Sequence, residues 1–83
     1  MKDVVLYTTA TCPYCIRAKR LLTNKGVVFT DVNVNEAQDK FEAIKQQTGW
    51  NTVPQIFIDG VFVGGCDDII QLERQGKLDE LLR

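Results

Sequence analysis

Cys12 and Cys15 stand two residues apart, with Pro13 and Tyr14 between them, where one kind of sequence gives way to another. Before them runs Val4–Thr9, "VVLYTT", short, apolar and rich in β-branched residues, as expected of a buried strand. After them Cys15, Ala18, Leu21 and Leu22 fall on one face of a helix. Pro13 sits in the first helical turn, where a missing N–H costs least, and this makes Cys12 the N-cap. A strand, a C-x-x-C pair and a helix in that order restrict the fold and pose a chemical question. The pair is a structural disulfide, half of a metal site, or a working dithiol.

Position favours the dithiol. The free N–H groups of the first helical turn, from Tyr14 and Cys15, point at the Cys12 sulfur, and the helix dipole adds positive charge there. Both favour thiolate over thiol, so the Cys12 pKa is expected well below the free value of about 8.5. A drop of ~3 units corresponds to roughly 4 kcal/mol of thiolate stabilisation. Cys15, one turn inward, faces the core and stays protonated, placed to attack a mixed disulfide formed on Cys12. Zinc wants four ligands, and the chain offers one further cysteine, Cys66, and no histidine. Three cysteines cannot all pair internally, which argues against a disulfide scaffold.

Further along, Gly26 stops the first helix, and "VVFTDVNV" (Val27–Val34) reads as a second strand. Asn35 is expected to cap the next helix in a capping box with Gln38. Ala37, Phe41, Ile44 and Thr48 share a face of that helix, and Gly49 ends it. "VPQIFID" and "VFVGG" are strands joined by Asp59-Gly60, a strong hairpin signal. "CDDIIQLERQG" is a third helix ended by Gly76, and "LDELLR" adds a last turn. The order is β-α-β-α-β-β-α, with the first two strands parallel and the hairpin antiparallel. Pro54 alone reads as a strand start, and "GGCDD" alone as a strand-to-helix turn.

The 83 residues are expected to form one domain, 1–83, burying roughly 60–65% of the unfolded surface. A net charge of −1 argues against bulk attraction to nucleic acid or to a membrane surface. No apolar run suits a membrane span or signal peptide, so the expected compartment is the cytoplasm, where thiols stay reduced. Between Val4 and Thr30 lie Arg17, Lys19, Arg20 and Lys25 and no acid. Such a run is a solvated helix face, a mildly positive field around the cysteines, or both.

"CPYC" (Cys12–Cys15), "TVPQIFIDG" (Thr52–Gly60) and "GGCDD" (Gly64–Asp68) stand in the order and spacing of the glutaredoxins. Over nearly its whole length the chain resembles a small bacterial-type dithiol glutaredoxin. The resemblance implies a thioredoxin fold, a four-stranded mixed sheet flanked by three helices. It also implies a glutathione-dependent oxidoreductase that reduces protein disulfides and glutathione mixed disulfides. Cys12 would be the nucleophile and Cys15 the resolving thiol, with Pro13 and Tyr14 in the active-site loop. Glutathione would contact Thr9, Tyr14, Thr52, Val53, Pro54, Gly65, Cys66 and Asp67. In the family the proline at Pro54 is cis, which leaves the Val53 main chain free to pair with an extended thiol peptide. The Cys66 and Asp67 N–H groups would seat the γ-glutamyl carboxylate, with the Asp67 side chain facing its ammonium. Cys66 itself reads as a small packed residue, with a regulatory thiol as the alternative. No resident metal is implied. The implied partners are glutathione and disulfide-containing or glutathionylated proteins, with ribonucleotide reductase one candidate, and the expected state is a monomer.

Two departures stand out. Many glutaredoxins carry lysine three residues before the first cysteine, where this chain has Thr9. Close relatives often place arginine before T-V-P, where this chain has Trp50-Asn51. Lys40 or Lys45 could supply the missing charge, and Trp50 reads as a packing residue at the rim. Two rival functions remain at this point. One is a redoxin recharged by thioredoxin reductase. The other is a carrier of a glutathione-ligated iron–sulfur cluster bridging two chains through Cys12, against which Pro13 stiffens the loop.

Overall fold

β1 (Val4–Thr8) occupies an inner position in a four-stranded sheet, in a computed structural model that describes residues 2–83. Val4, Leu6 and Thr8 are buried on one face while Val5 and Tyr7 are half-buried on the other, so helices cover both faces. The strand order is β2-β1-β3-β4. β2 (Thr30–Asn33) runs parallel to β1, with Val5 opposite Thr30 and Thr8 opposite Asn33. β3 (Gln55–Ile58) runs antiparallel to β1, with Val4 opposite Ile58 and Tyr7 opposite Gln55. β4 (Val61–Gly64) pairs antiparallel with β3. Asp59 and Gly60 have φ of 53° and 79°, the double left-handed conformation that the tight hairpin turn requires.

The helices are α1 (Pro13–Asn24), α2 (Gln38–Thr48), α3 (Cys66–Arg74) and the short α4 (Leu78–Leu82). The "LDELLR" turn is thus a fourth, five-residue helix added to the three expected. Element order and sheet topology are those of the thioredoxin fold. One core joins Leu6, Leu22, Ile56, Ile69 and Leu78, all fully buried, from β1, α1, β3, α3 and α4. Burial of each such side chain contributes about 1.5–3 kcal/mol. α2 covers the opposite face, where its Ile44 meets Val5, Tyr7 and Phe57 around a shared cavity. Ala37, Phe41, Ile44 and Thr48 are half-buried there, the face that the spacing predicts.

The strands are shorter than expected, with β1 ending at Thr8, β2 at Asn33 and β4 at Gly64 and with β3 starting only at Gln55, after Pro54; the largest differences are the starts of β2 and of α2. β2 begins at Thr30, because the N–H groups just after α1 are already used. Gly26, at φ 75°, donates to the Thr23 carbonyl at 3.0 Å, and Val27 donates to the Leu22 carbonyl at 3.0 Å. That double closure, with Val27 packed against the Leu22 core, ends the helix and delays the strand. The Asn35–Gln38 capping box does not form. Asn33 Oδ1 accepts from the Asn35 N–H at 2.9 Å and makes the turn itself. α2 then starts after Ala37, whose methyl group can accept nothing. No helix among the described residues is long and apolar enough to cross a membrane.

Candidate active site

The C-terminal end of β1 delivers the chain to Cys12, which caps α1 in an extended conformation (φ −82°, ψ 117°). The cap acceptor is the thiol itself. Cys15 donates its N–H to the Cys12 sulfur, N···S 3.4 Å. Burial pushes the Cys12 thiol up, but three hydrogen bonds outweigh it and hold the group below its ordinary value. They come from the Cys15 thiol, the Cys15 N–H and the Tyr14 N–H. Cys15 lies fully buried. Burial pushes its pKa up to about 12, against a hydrogen bond from the Thr9 N–H that pulls the other way. One thiol is poised to ionise and its neighbour to stay protonated.

A second wall comes from the loop before β3. Val53–Pro54 is a cis peptide bond, as expected. The Val53 carbonyl lies 3.8 Å from the Cys12 sulfur, and the Val53 side chain is half-buried beside it. Thr52 is exposed at the lip, and Pro54 is buried.

The third wall is the start of α3. A Cβ placed on Gly65 would lie 3.2 Å from the Pro54 carbonyl and 3.4 Å from Trp50 Cζ3, so this turn presses directly on the proline loop. Asp68 reaches back from the third helical position and accepts from the Gly65 N–H at 2.8 Å. The N–H groups of Cys66 and Asp67, in the first turn, have no intrahelical partner and can serve an anion. Cys66 is 3% exposed, and its thiol is pushed up, first by burial and then by the Asp67 charge. Arg17 opposes that shift and Cys12 adds to it, so all four groups lie within electrostatic reach of one another. Packing is what Cys66 does here.

Cys15, the Val53 carbonyl and the Cys66–Asp67 turn thus gather around Cys12, with Pro54 and Trp50 against Gly65. Trp50 stands edge-on to Phe62 with centroids 5.1 Å apart and remains 39% exposed. Lys45 is engaged on α2, paired with Glu42 at 2.6 Å and lying over the Phe41 ring. Of the basic residues on α1, Lys19 pairs with Asp31 at 2.6 Å, and Lys25, just past the helix end, pairs with Glu73 and Asp79 at 2.8 Å each. Arg17 instead lies over the exposed Tyr14 ring, 5.6 Å from its centroid, beside the cysteines. Lys19 favours ionisation of Cys15 and Arg17 that of Cys66, though burial outweighs both. Sequence reasoning missed Gln55, a polar residue inside the apolar run "PQIFI" that is fully buried. Its position was the available signal, since a buried amide must find partners.

The glutaredoxin family model matches residues 4–63. Glutaredoxin 1 of Rickettsia typhi is 54% identical over 84 aligned residues, which cover 99% of this chain and 81% of that protein. Glutaredoxin 3 of Escherichia coli strain K12 is 48% identical over 83 residues, covering 100% of both. The crystal structure of a buckwheat glutaredoxin–glutathione complex matches with a TM-score of 0.91 at 32% identity, over 98% of this chain and 76% of that one.

Proposed function

The chain belongs to the glutaredoxin family of thiol–disulfide oxidoreductases, and from that premise we propose that it draws its electrons from glutathione and acts through Cys12 and Cys15. The observation that carries this reading is the Cys12 sulfur at the start of α1, held below its ordinary pKa by hydrogen bonds from Tyr14 and Cys15. On a glutathione mixed disulfide, the Cys12 thiolate attacks the glutathione sulfur and the substrate leaves as a thiolate that takes up a proton. A second glutathione thiolate then attacks the Cys12-bound glutathione, releasing glutathione disulfide and restoring the Cys12 thiolate. On a protein disulfide, the Cys12 thiolate attacks one sulfur, the other sulfur leaves as a thiolate that takes up a proton, and Cys15 then attacks the Cys12 sulfur of the mixed disulfide from inside. The Cys15 proton passes to the departing substrate thiolate, and two glutathiones reduce the resulting Cys12–Cys15 disulfide.

The groove suits an extended thiol peptide that carries two carboxylates and an ammonium. The Val53 main chain would pair with the cysteinyl residue of glutathione. The Cys66 and Asp67 N–H groups would take the γ-glutamyl carboxylate, and the Asp67 carboxylate would face the ammonium. Thr9, Tyr14, Thr52, Pro54 and Gly65 would complete the walls. Glutathionylated and disulfide-bonded proteins are the proposed substrates, reached in the cytoplasm by a monomeric single domain.

The test is turnover of a glutathione–cysteine mixed disulfide with glutathione, glutathione reductase and NADPH. Oxidation of NADPH that requires every component is the expected result. Turnover only when thioredoxin reductase replaces the glutathione system would overturn the reading.

A further inference from the structure

We propose that Gln55 is a positioning residue for the groove beside Cys12, acting through the backbone of Trp50 and Thr52; this rests on the glutathione-binding reading of that groove. The Gln55 side chain is 0% exposed, yet it is the first residue of β3, directly after the cis proline. Its Nε2 donates both hydrogens, to the Trp50 carbonyl at 2.9 Å and the Thr52 carbonyl at 3.1 Å. Its Oε1 accepts from the Thr48 hydroxyl at 3.0 Å, and that hydroxyl oxygen accepts from the Trp50 N–H at 3.1 Å. The amide therefore ties the end of α2 to both carbonyls of the loop that carries Trp50 and Val53.

Chemistry makes a carboxamide specific here. Two carbonyls converge on one buried point, and satisfying both needs two donors, while the Thr48 hydroxyl needs an acceptor. Glutamine offers all three in one plane. A carboxylate would face the carbonyls with its own negative charge, and an apolar side chain would leave both carbonyls unpaired away from water. With those bonds made, the Trp50 ring stays against Gly65 and the Val53 carbonyl stays beside the Cys12 sulfur. Gln55 itself is sealed from any ligand, so its effect reaches binding only through the loop.

Gln55→Leu removes both donors, and Thr48→Val removes the hydroxyl that joins Gln55 to the Trp50 N–H. The assay is turnover of the glutathione–cysteine mixed disulfide with the glutathione system. For Gln55→Leu the apparent KM should rise about 5- to 30-fold, the factor that one or two lost buried hydrogen bonds represents. The change in kcat should stay within about two-fold, as for lost uniform binding. Cys12 alkylation should keep its pH profile, and Trp50 emission should shift to the red with easier acrylamide quenching. Thr48→Val should move KM and emission in the same direction by less, and the double variant should fall short of the product of the two. If Gln55→Leu fails to fold, Thr48→Val carries the same comparison. Unchanged KM and emission in the folded variants would overturn the proposal, as would equal losses in KM, kcat and Cys12 ionisation. Should the wild-type protein show no turnover with glutathione, the glutathione reading fails. The Trp50 emission then still decides whether Gln55 holds the loop.

Discussion

The Cys15 nitrogen lies 3.4 Å from the Cys12 sulfur and donates its N–H to it, so the backbone of the buried cysteine stabilises the thiolate of the exposed one. The two groups are driven apart by opposite environments. Cys12 has first-turn donors around it, while Cys15 is enclosed by the core and pushed up to about 12.

Selective alkylation follows from this separation. Iodoacetamide should modify Cys12 with an inflection below the free-thiol value of about 8.5. Cys15 and Cys66, both buried, should stay unmodified until the protein unfolds. Mass-spectrometric mapping of the modified peptides across pH 4–10 (approximate range) reads both outcomes. An inflection for Cys12 at or above the free value would contradict the cap geometry. The same shifts set the pH dependence of stability in the reduced form. The depressed Cys12 pKa contributes stability that is present above the unfolded pKa and lost as pH falls through the folded value. The raised Cys15 pKa contributes stability that is present below the unfolded pKa and lost as pH rises toward about 12.

Gly64 allows a sharper test of the third wall. Its φ is +122°, and a Cβ there would collide with Asp68 Oδ2, the atom that accepts from the Gly65 N–H. Gly64→Ala must strain the backbone and displace that carboxylate together. We expect a loss of about 1–3 kcal/mol from the strain alone. Asp68→Ala, which removes only the reach-back bond, should cost about 0.5–2 kcal/mol, as for a lost cap. Urea midpoints compare the two, and an equal or smaller loss for Gly64→Ala would show that the turn relaxes freely.

The parts of this site that could be read in the sequence are those where one residue's own chemistry dictates the local backbone. Asp59-Gly60 announces its turn because few other pairs accept two left-handed residues in succession. Pro13 and Cys12 announce a helix start because proline fits there and a thiol can cap. The parts that could not be read depend on which of several neighbours wins a shared group. Asn33 and Asn35 compete for the turn before α2, and the residue at the strand end takes it. Val27 is as good a strand former as Val32, but its N–H is claimed by the closing helix. Gln55 looks like an interruption in an apolar run until the chain folds back and presents two carbonyls to it.

Thr9 stands where many relatives would place a cation. It is half-buried, so a longer side chain there keeps access to solvent. Thr9→Lys should tighten glutathione by about 0.5–2 kcal/mol, as for a partly exposed charge-assisted contact. Quenching of the single tryptophan, Trp50, provides the binding signal, since its ring lies at the rim against Gly65. Unchanged or weaker binding would mean that the glycine carboxylate is held elsewhere.

The two cysteines should divide the work between substrate classes. Clearing a glutathione mixed disulfide needs one nucleophile on the enzyme, because a second glutathione can release the first from Cys12. Clearing a protein disulfide needs Cys15, because the bond between Cys12 and the bulky substrate must be broken from inside before it stalls. Cys15→Ser should therefore retain substantial turnover of a glutathione–cysteine mixed disulfide and lose most turnover of a protein disulfide. The serine keeps its N–H, so the backbone bond to the Cys12 sulfur survives. The bond from the Cys15 thiol is altered, however, and a modest rise in the Cys12 alkylation inflection should accompany the change. Cys12→Ser should lose both activities, since Cys12 is the thiol that stands at the N-terminus of α1. The decisive measurement is each variant on both substrates at one pH. A Cys15→Ser protein dead on the glutathione mixed disulfide, beside an active Cys12→Ser protein, would reverse the assignment and move the nucleophile to the buried sulfur.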